Sequence, residues 1–270
     1  MTRHEISEAW AQTRQRLAER GVVSLFLRFA PYHEGVSRWH HELDGLRTVE
    51  LSATIAVATA DDETIWTSMQ GRARTAVRKA EREGLVATVE ESDLSLAHAD
   101  APFRRVYGVA MDRVEATAQH RHDDGYYRRL VEGLKADLKV VSVRNSEGEV
   151  VASCLLLVDD YGVHYHLSGS LREYARLGAN NLMLWTALQW ASAEGHAMMH
   201  LGGGTSAADD LYRFKASFGG KSLPFFVGQS IIRPDDYARL VVKRAAELKV
   251  SVGTLEESHF FPAYRAVLPS

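Results

Sequence analysis

The chain has 270 residues, 46% of them hydrophobic and 25% charged, with a formal net charge of −3 at pH 7. That length holds one large or two small domains, and a slightly acidic globular composition argues against a nucleic-acid coat while leaving room for a local basic patch on one RNA end. Cys154 is the only cysteine, which excludes a disulfide frame and a cysteine metal site; no apolar run reaches the length of a membrane span and the N-terminus reads as charged and amphipathic, so a cytoplasmic protein is expected.

Glu5 to Arg20 reads as an amphipathic helix ended by Gly21, and residues 22–29, VVSLFLRF, as an apolar strand stopped by Pro31. Pro31 to Arg47 has little periodicity and reads as loop, and Thr48 to Ala58 is strand-like. Asp61 to Glu83 is predicted as one helix, capped by Asp61 or Asp62 and ended by Gly84. Its apolar stripe is Ile65, Met69, Ala73, Ala76 and Ala80. The other side carries Arg74, Arg78 and Arg82 at four-residue intervals, with Arg72 and Lys79 beside them. Such a row can meet successive phosphates, or it can be a solvated face paired with Glu81 and Glu83. Both readings stand.

Leu85 to Glu90 reads as a strand, and a domain boundary is expected just after it, giving domains 1–90 and 91–270. Pro102 to Val114 is helical, with Phe103, Val106, Tyr107, Ala110 and Met111 spaced to face a core. In the polar loop that follows, His120, His122, Asp123 and Asp124 are metal-ligand types. Their spacing matches no strong motif and no further ligand is indicated, so no metal is expected. Tyr126 to Leu138 is helical again. Three strands follow, Lys139–Arg144, Glu149–Val158 and Val163–Ser168, joined by NSEG and DDYG turns suited to hairpins.

Asn180 and Asn181 can cap the next helix, whose Leu182, Leu184, Trp185, Leu188 and Trp190 leave no polar side. Gly195 ends it and Ala197 to Leu201 makes a strand. Ser206, with Asp209 three residues on, is a capping-type start for a last short helix. There Leu211, Phe214 and Phe218 form one core-facing stripe, and Lys215 falls one step off it, at the edge between core and solvent. The tail SLPFFVGQSII reads as one or two closing strands, and Asp235 to Leu248 as a helix.

The run GANNLMLWTALQWASAEGHAMMHLGGG, followed by DDLYRFKASFGG, resembles the C-terminal half of the FemABX-like transferases. The LGGG strand end and the FKxxFGG helix are its specific parts, and looser likeness extends back to about Val22. The resemblance implies an α/β (α+β) chain of GNAT-type acyltransferase fold. The C-terminal domain (91–270) is expected complete and the N-terminal GNAT-like domain (1–90) truncated. Helices, then an antiparallel meander, then helix–strand–helix is the order of such a domain. The implied activity is transfer of an aminoacyl group from the acceptor end of aminoacyl-tRNA to the amine of a small acceptor, a peptidoglycan precursor or peptide-like natural product. No cofactor is expected.

Amide formation from an aminoacyl ester needs the amine held near the carbonyl and the developing oxyanion stabilised. Lys215 is the expected stabiliser, since the lysine of the family's FKxxFG motif has a comparable role. Phe214 and Phe218 would anchor its helix, Phe214 flanking the tRNA end, with Tyr212 as a further substrate contact. Tyr165 and Ser168 would touch acceptor or aminoacyl group, and His166 could be a general base. Strand alternation puts Tyr165 and His166 on opposite faces, so at most one lines the site. Gly202, Gly203 and Gly204 could cradle a phosphate, or could exclude side chains where the strand splays from its neighbour. In acetyl-CoA-using GNAT enzymes a Gln/Arg-x-x-Gly-x-Gly/Ala loop holds the pyrophosphate. Here, with Gly178 as the first glycine, Ala175 and Asn180 depart from that pattern. Asn180 is therefore expected to face the substrate instead of CoA. Arg74, Arg78, Lys79 and Arg82 are the expected tRNA contacts. Two other readings remain open: an acyl-CoA-dependent N-acyltransferase on the same fold, and a non-catalytic protein that binds RNA or a partner.

Overall fold

The computed structural model describes residues 2–30, 43–117, 120–204 and 209–267. It divides into two compact units, Met1–Ala53 with Leu223–Ser270, and Thr54–Ser222. The stretch 54–90, expected in the first of two domains, therefore packs in the same unit as 91–222. The chain opens with α1 (Arg3–Glu19), held by a reciprocal Thr2–Glu5 capping box and ended at Gly21, φ +76°. Strand β1 (Ser24–Arg28) follows, and then β2 (Arg47–Ala58), whose last residues enter the larger unit.

In the larger unit the helix expected from Asp61 to Glu83 is two helices, α2 (Asp62–Ser68) and α3 (Gly71–Arg82). Asp61 caps α2 as expected, accepting from the Thr64 amide at 2.8 Å. The break at Met69–Gln70 has a tertiary cause. The Gln70 amide donates to the Ser217 carbonyl at 2.8 Å. Arg74 donates to the carbonyls of Trp66, Thr67 and Met69, which the end of α2 leaves without intrahelical partners.

Strand β3 (Val86–Glu91) leads to α4 (Pro102–Arg113) and α5 (Asp124–Leu134). The α5 helix starts earlier than expected because Asp123 accepts from the Tyr126 amide at 2.7 Å. It stops short of Leu138, where Lys135 turns to φ +51°. Then come β4 (Leu138–Arg144), β5 (Val150–Asp159) and β6 (Gly162–Ser170), a short α6 (Arg172–Ala175), α7 (Ala179–Ala193), β7 (Met198–Gly203) and α8 (Asp210–Ala216). The strands of this unit run in the order β2-β7-β6-β5-β4-β3. All neighbours are antiparallel except β6 and β7.

Two cores cover this sheet. One joins α2, α3 and α7 through Ile65, Val77, Leu184, Leu188 and Phe218; the other joins α4 and α5 through Phe103, Tyr107, Tyr127 and Leu155. The all-round apolar character of α7 is explained by its burial, Leu182 to Leu188 contributing six buried side chains. Asn180 and Asn181, expected as its caps, lie inside its first turn. The cap is Gly178, in the left-handed region at φ +97°. A Cβ there would meet the Ala76 carbonyl of α3, so only glycine lets the two helices approach at this point.

The smaller unit is completed by β8 (Lys221–Ile231), α9 (Pro234–Leu248) and α10 (Val252–Glu257). The expected closing strand or strands are one strand, β8, which pairs antiparallel with β1 from Ser24↔Ile231 to Arg28↔Val227. A separate small core of Val241, Ala245, Leu255, Ala263 and Ala266 holds the C-terminal segment.

Candidate active site

The parallel ladder between β6 and β7 has two pairs, Val163↔Met199 and His164↔His200, and then ends. Both strands carry an extra residue just beyond. In β6 the register moves from Leu156↔Tyr165 to Cys154↔Ser168, so His166 and Leu167 together oppose Leu155. In β7 it moves from Ala56↔His200 to Ile55↔Gly202, with Leu201 in between and Gly202 at φ +74°. Bulges bend their strands and end local pairing. The two inner edges are thus left open from Tyr165 and Leu201 onward.

Lys215 lies at this opening. It is 7% exposed, and its Nζ donates to the Gly203 carbonyl at 2.7 Å and lies 5.6 Å from the centre of the Tyr165 ring. Burial lowers its pKa to about 8, and the Asp209 carboxylate opposes that shift. Asp209 is also the cap of α8, accepting from the Tyr212 amide at 2.7 Å. The short helix therefore starts after Asp209; Ser206 lies outside the described residues.

The expected orientation of α8 needs correction. Leu211, placed on the core stripe, is 44% exposed, whereas Lys215, placed at the solvent edge, is buried with Phe218. Within the seven residues of the helix Lys215 is the buried side chain, and Phe218 is buried just past its C-terminal end. Phe214 is half-buried, edge-on to Phe218 with centroids 5.6 Å apart.

The glycine run has a reading of its own in the structure. A Cβ on Gly202 would come within 3.4 Å of Lys215 Nζ, and one on Gly204 would collide with the Asp209 carboxylate. Gly204 thus makes room for the carboxylate that opposes the lysine's shift, whereas Gly202 is favoured by its left-handed backbone, a Cβ there being only in ordinary contact with the ammonium.

Tyr165 packs on the α7 side of the sheet. Burial pushes its phenol pKa up, with the Cys154 thiol adding to the shift and the Ser168 hydroxyl partly offsetting it. Lys215, Tyr165, Gly202 and Gly203 are thus brought together, with Ser168 beside the phenol. His166 is not among them. Its Nε2 is hydrogen-bonded to the Tyr126 hydroxyl at 2.7 Å, and Tyr126 stacks on His122 at 3.9 Å, on the side of the α4–α5 core. Burial and then His122 lower the His166 pKa, so it is neutral at pH 7. Tyr212 directs its hydroxyl to Ser222 at 2.8 Å. Asn180 is half-buried in α7. Its neighbour Asn181, with Arg72, Asp210, Arg213 and Phe214, lines a cavity of about 260 Å³.

Of the four basic residues expected to contact tRNA, three are engaged within the protein. Arg74 binds the end of α2, Arg78 lies over the Trp66 ring at 5.2 Å, and Lys79 donates to the Arg176 carbonyl at 2.8 Å. Arg82 is exposed. In the polar segment before α5, Asp123 caps the helix, Asp124 pairs with Arg104 at 2.7 Å, and His122 stacks on Tyr126. Among the described residues no group of three His, Cys, Asp or Glu is placed to hold a metal, and no helix is long and apolar enough to cross a membrane.

One neighbour of Lys215 escaped the sequence reading. His200, half-buried, lies 5.7 Å ring to ring from His164, which in turn pairs with Asp159 at 3.2 Å. Burial first, then His164 and Lys215, lower the His200 pKa to about 4. A single histidine inside the apolar run before the glycines was the available signal.

Residues 67–216 match the family model of the acetyltransferase (GNAT) domain, a span that takes in Tyr165, Gly202 and Lys215. No curated protein sequence matches the chain. Among solved structures the fold is similar to that of FemX, with a TM-score of 0.70 at 14% identity over 88% of this chain and 79% of that one. It is also similar to the C-terminal domain of a putative lysylphosphatidylglycerol synthetase from Agrobacterium fabrum, with a TM-score of 0.59 at 15% identity over 81% and 72%. The structure of L-PGS from Bacillus licheniformis gives a TM-score of 0.51 at 16% identity over 71% and 64%. At these identities the likeness is one of fold.

Proposed function

The chain belongs to the acetyltransferase (GNAT) domain family, and from that premise we propose that it makes amide bonds, transferring an aminoacyl group from aminoacyl-tRNA to the amine of a small acceptor. The observation that carries this reading is the buried Lys215 ammonium at the opening between β6 and β7, held by the Gly203 carbonyl. The similarity of fold to FemX and to a lysylphosphatidylglycerol synthetase domain supports the aminoacyl donor.

In the proposed reaction the acceptor nitrogen attacks the ester carbonyl. A C–N bond forms, the C–O bond to the ribose breaks, and the amine proton passes to the ribose oxygen. The ester is already activated, so the protein's task is to hold the amine near the carbonyl and stabilise the oxyanion. Lys215, protonated below about pH 8, supplies that stabilisation from a buried position, where a charge acts more strongly than in solution. Tyr165 and Ser168 contact the aminoacyl group or acceptor, and Phe214 the tRNA end. The internal bonds of Arg74, Arg78 and Lys79 leave Arg82 as the proposed backbone contact on α3. Use of aminoacyl-tRNA would place the reaction in the cytoplasm, with a peptidoglycan precursor or peptide-like natural product as acceptor.

A second reading, an acyl-CoA donor, is favoured by the family match itself. One assay separates the two. The protein is incubated with tRNA charged with labelled amino acids and an extract of small amines, with and without ribonuclease. Transfer of label to small molecules that ribonuclease abolishes is the expected result. Acylation supported by acetyl-CoA, with none from charged tRNA, would overturn the proposal in favour of the second reading.

A further inference from the structure

The smaller unit contains a cavity of about 600 Å³, a size that suits a ligand of a few hundred daltons. Its wall is aromatic. Tyr237 of α9 stacks against Phe261 at 6.1 Å and 21°, and Phe261 against Phe26 at 6.4 Å and 25°. Phe260 lines the same space and is 50% exposed, an uncommon exposure for a phenylalanine with a core beside it. The wall is held by hydrogen bonds. The Tyr237 hydroxyl accepts from the Ala263 amide at 2.9 Å, and Arg244 clamps the Ala266 carbonyl through Nε and Nη2 at 3.1 and 2.9 Å.

Charges of both signs stand around these rings. Arg47 of β2 and Glu256 of α10 line the cavity, with Gln229 and His259 as further hydrogen-bonding groups. The Glu256 carboxylate is close enough to Tyr237 to bear on its titration. Flat apolar walls bearing a few convergent polar groups are the usual make-up of a small-molecule site. An aromatic face beside a carboxylate favours an ammonium, and a guanidinium favours a carboxylate.

We infer that this cavity binds a short peptide with an aromatic side chain, its ring against Phe260 and Phe261, its ammonium at Glu256 and its carboxylate at Arg47. The site does not rest on the transfer reaction. Nothing in it involves Lys215.

Calorimetric titration of the full chain with phenylalanyl-alanine tests the inference. Three relatives that each lack one feature complete the panel: the N-acetylated dipeptide, its C-terminal amide, and alanyl-alanine. Saturable binding of the parent is expected, weakened roughly tenfold or more by each omission. Glu256→Gln should remove the preference over the N-acetyl form, and Arg47→Gln the preference over the amide, with melting temperatures unchanged. Lys215→Ala should leave the titration as it is. Absence of saturable binding, equal binding of all four peptides, or unaltered preferences in both variants would overturn the site. Failure here would leave the transfer assay unaffected, and failure of transfer would leave this titration standing.

Discussion

Lys215 donates its Nζ to the carbonyl oxygen of Gly203 at 2.7 Å, across the point where the β6–β7 ladder has ended. A buried ammonium aimed at a backbone carbonyl marks an electrostatic site because folding gains little from it. Taking a charge out of water is costly, and one carbonyl returns only part of that cost.

Replacement of Lys215 by methionine should therefore split stability from activity. Turnover should fall by about 10²–10³, the usual loss for an oxyanion donor, with substrate affinity changed only a few-fold. Steady-state kinetics separate the two, and unchanged turnover would remove Lys215 from the mechanism.

The same variant should be more stable than the parent at pH 7, by about 1–3 kcal/mol. In the folded protein the lysine pKa is lowered from 10.5 to about 8. Between those values the unfolded chain binds the extra proton, so the parent gains stability as pH rises through this window. The difference in denaturation midpoint should be largest below pH 8 and shrink toward pH 10.5. Turnover of the parent should be level below about pH 8 and fall as the pH rises through it.

Acid should weaken the fold well before the carboxylates titrate. His200 has its pKa lowered to about 4, and His122 and His166 are shifted in the same direction. From pH 6.5 down to about 4 the unfolded chain takes up protons that the folded chain resists, so stability is lost as pH falls. Denaturant titrations across this range should show the decline, and His200→Gln should flatten it. An unchanged slope in that variant would place the effect elsewhere.

Gly178→Ala should destabilise by at least about 2 kcal/mol, combining a left-handed backbone with a clash against the Ala76 carbonyl. Gly148→Ala, also at positive φ but in open space, is the control for the backbone term alone. Similar losses in the two would show that the α3–α7 contact is not the reason for glycine at 178.

On α3 the arginines should divide by role. Arg74→Ala removes the partner of three carbonyls at the end of α2 and should cost about 1–3 kcal/mol. Arg82→Ala should leave stability within about 0.5 kcal/mol and, in the proposed function, weaken and flatten the salt dependence of tRNA binding. Tight tRNA binding by the Arg82 variant with an unaltered salt slope would remove α3 from the RNA contact.

Elements whose signals are local were legible in the sequence. Asp61 caps α2, Gly84 and Gly195 end their helices, the NSEG and DDYG turns join β4, β5 and β6, and the apolar α7 is buried. The opposite-face placement of Tyr165 and His166 follows from strand alternation, and the structure separates them accordingly. The break at Met69–Gln70 was not legible, because its cause is a carbonyl at Ser217 and an arginine at 74. Nor was Gly178 as the α7 cap, since Asn180 and Asn181 are better caps by type and the approach of Ala76 that requires glycine at 178 is a contact between distant segments.

By itself the sequence determined the order of helices and strands, the family signature from Gly178 to Gly220, and the residue types from which a site could be built. Periodicity, caps and turns act over a few residues, and so they are written locally. The tertiary structure alone decided which of those residues meet. It turned Lys215 from the edge between core and solvent into the opening between β6 and β7, set His200 near it, bonded His166 to the Tyr126 hydroxyl, and used Arg74 and Lys79 to hold the protein's own carbonyls. Each of those outcomes depends on contacts between segments far apart in the chain, where burial and the satisfaction of backbone polar groups outweigh local preference.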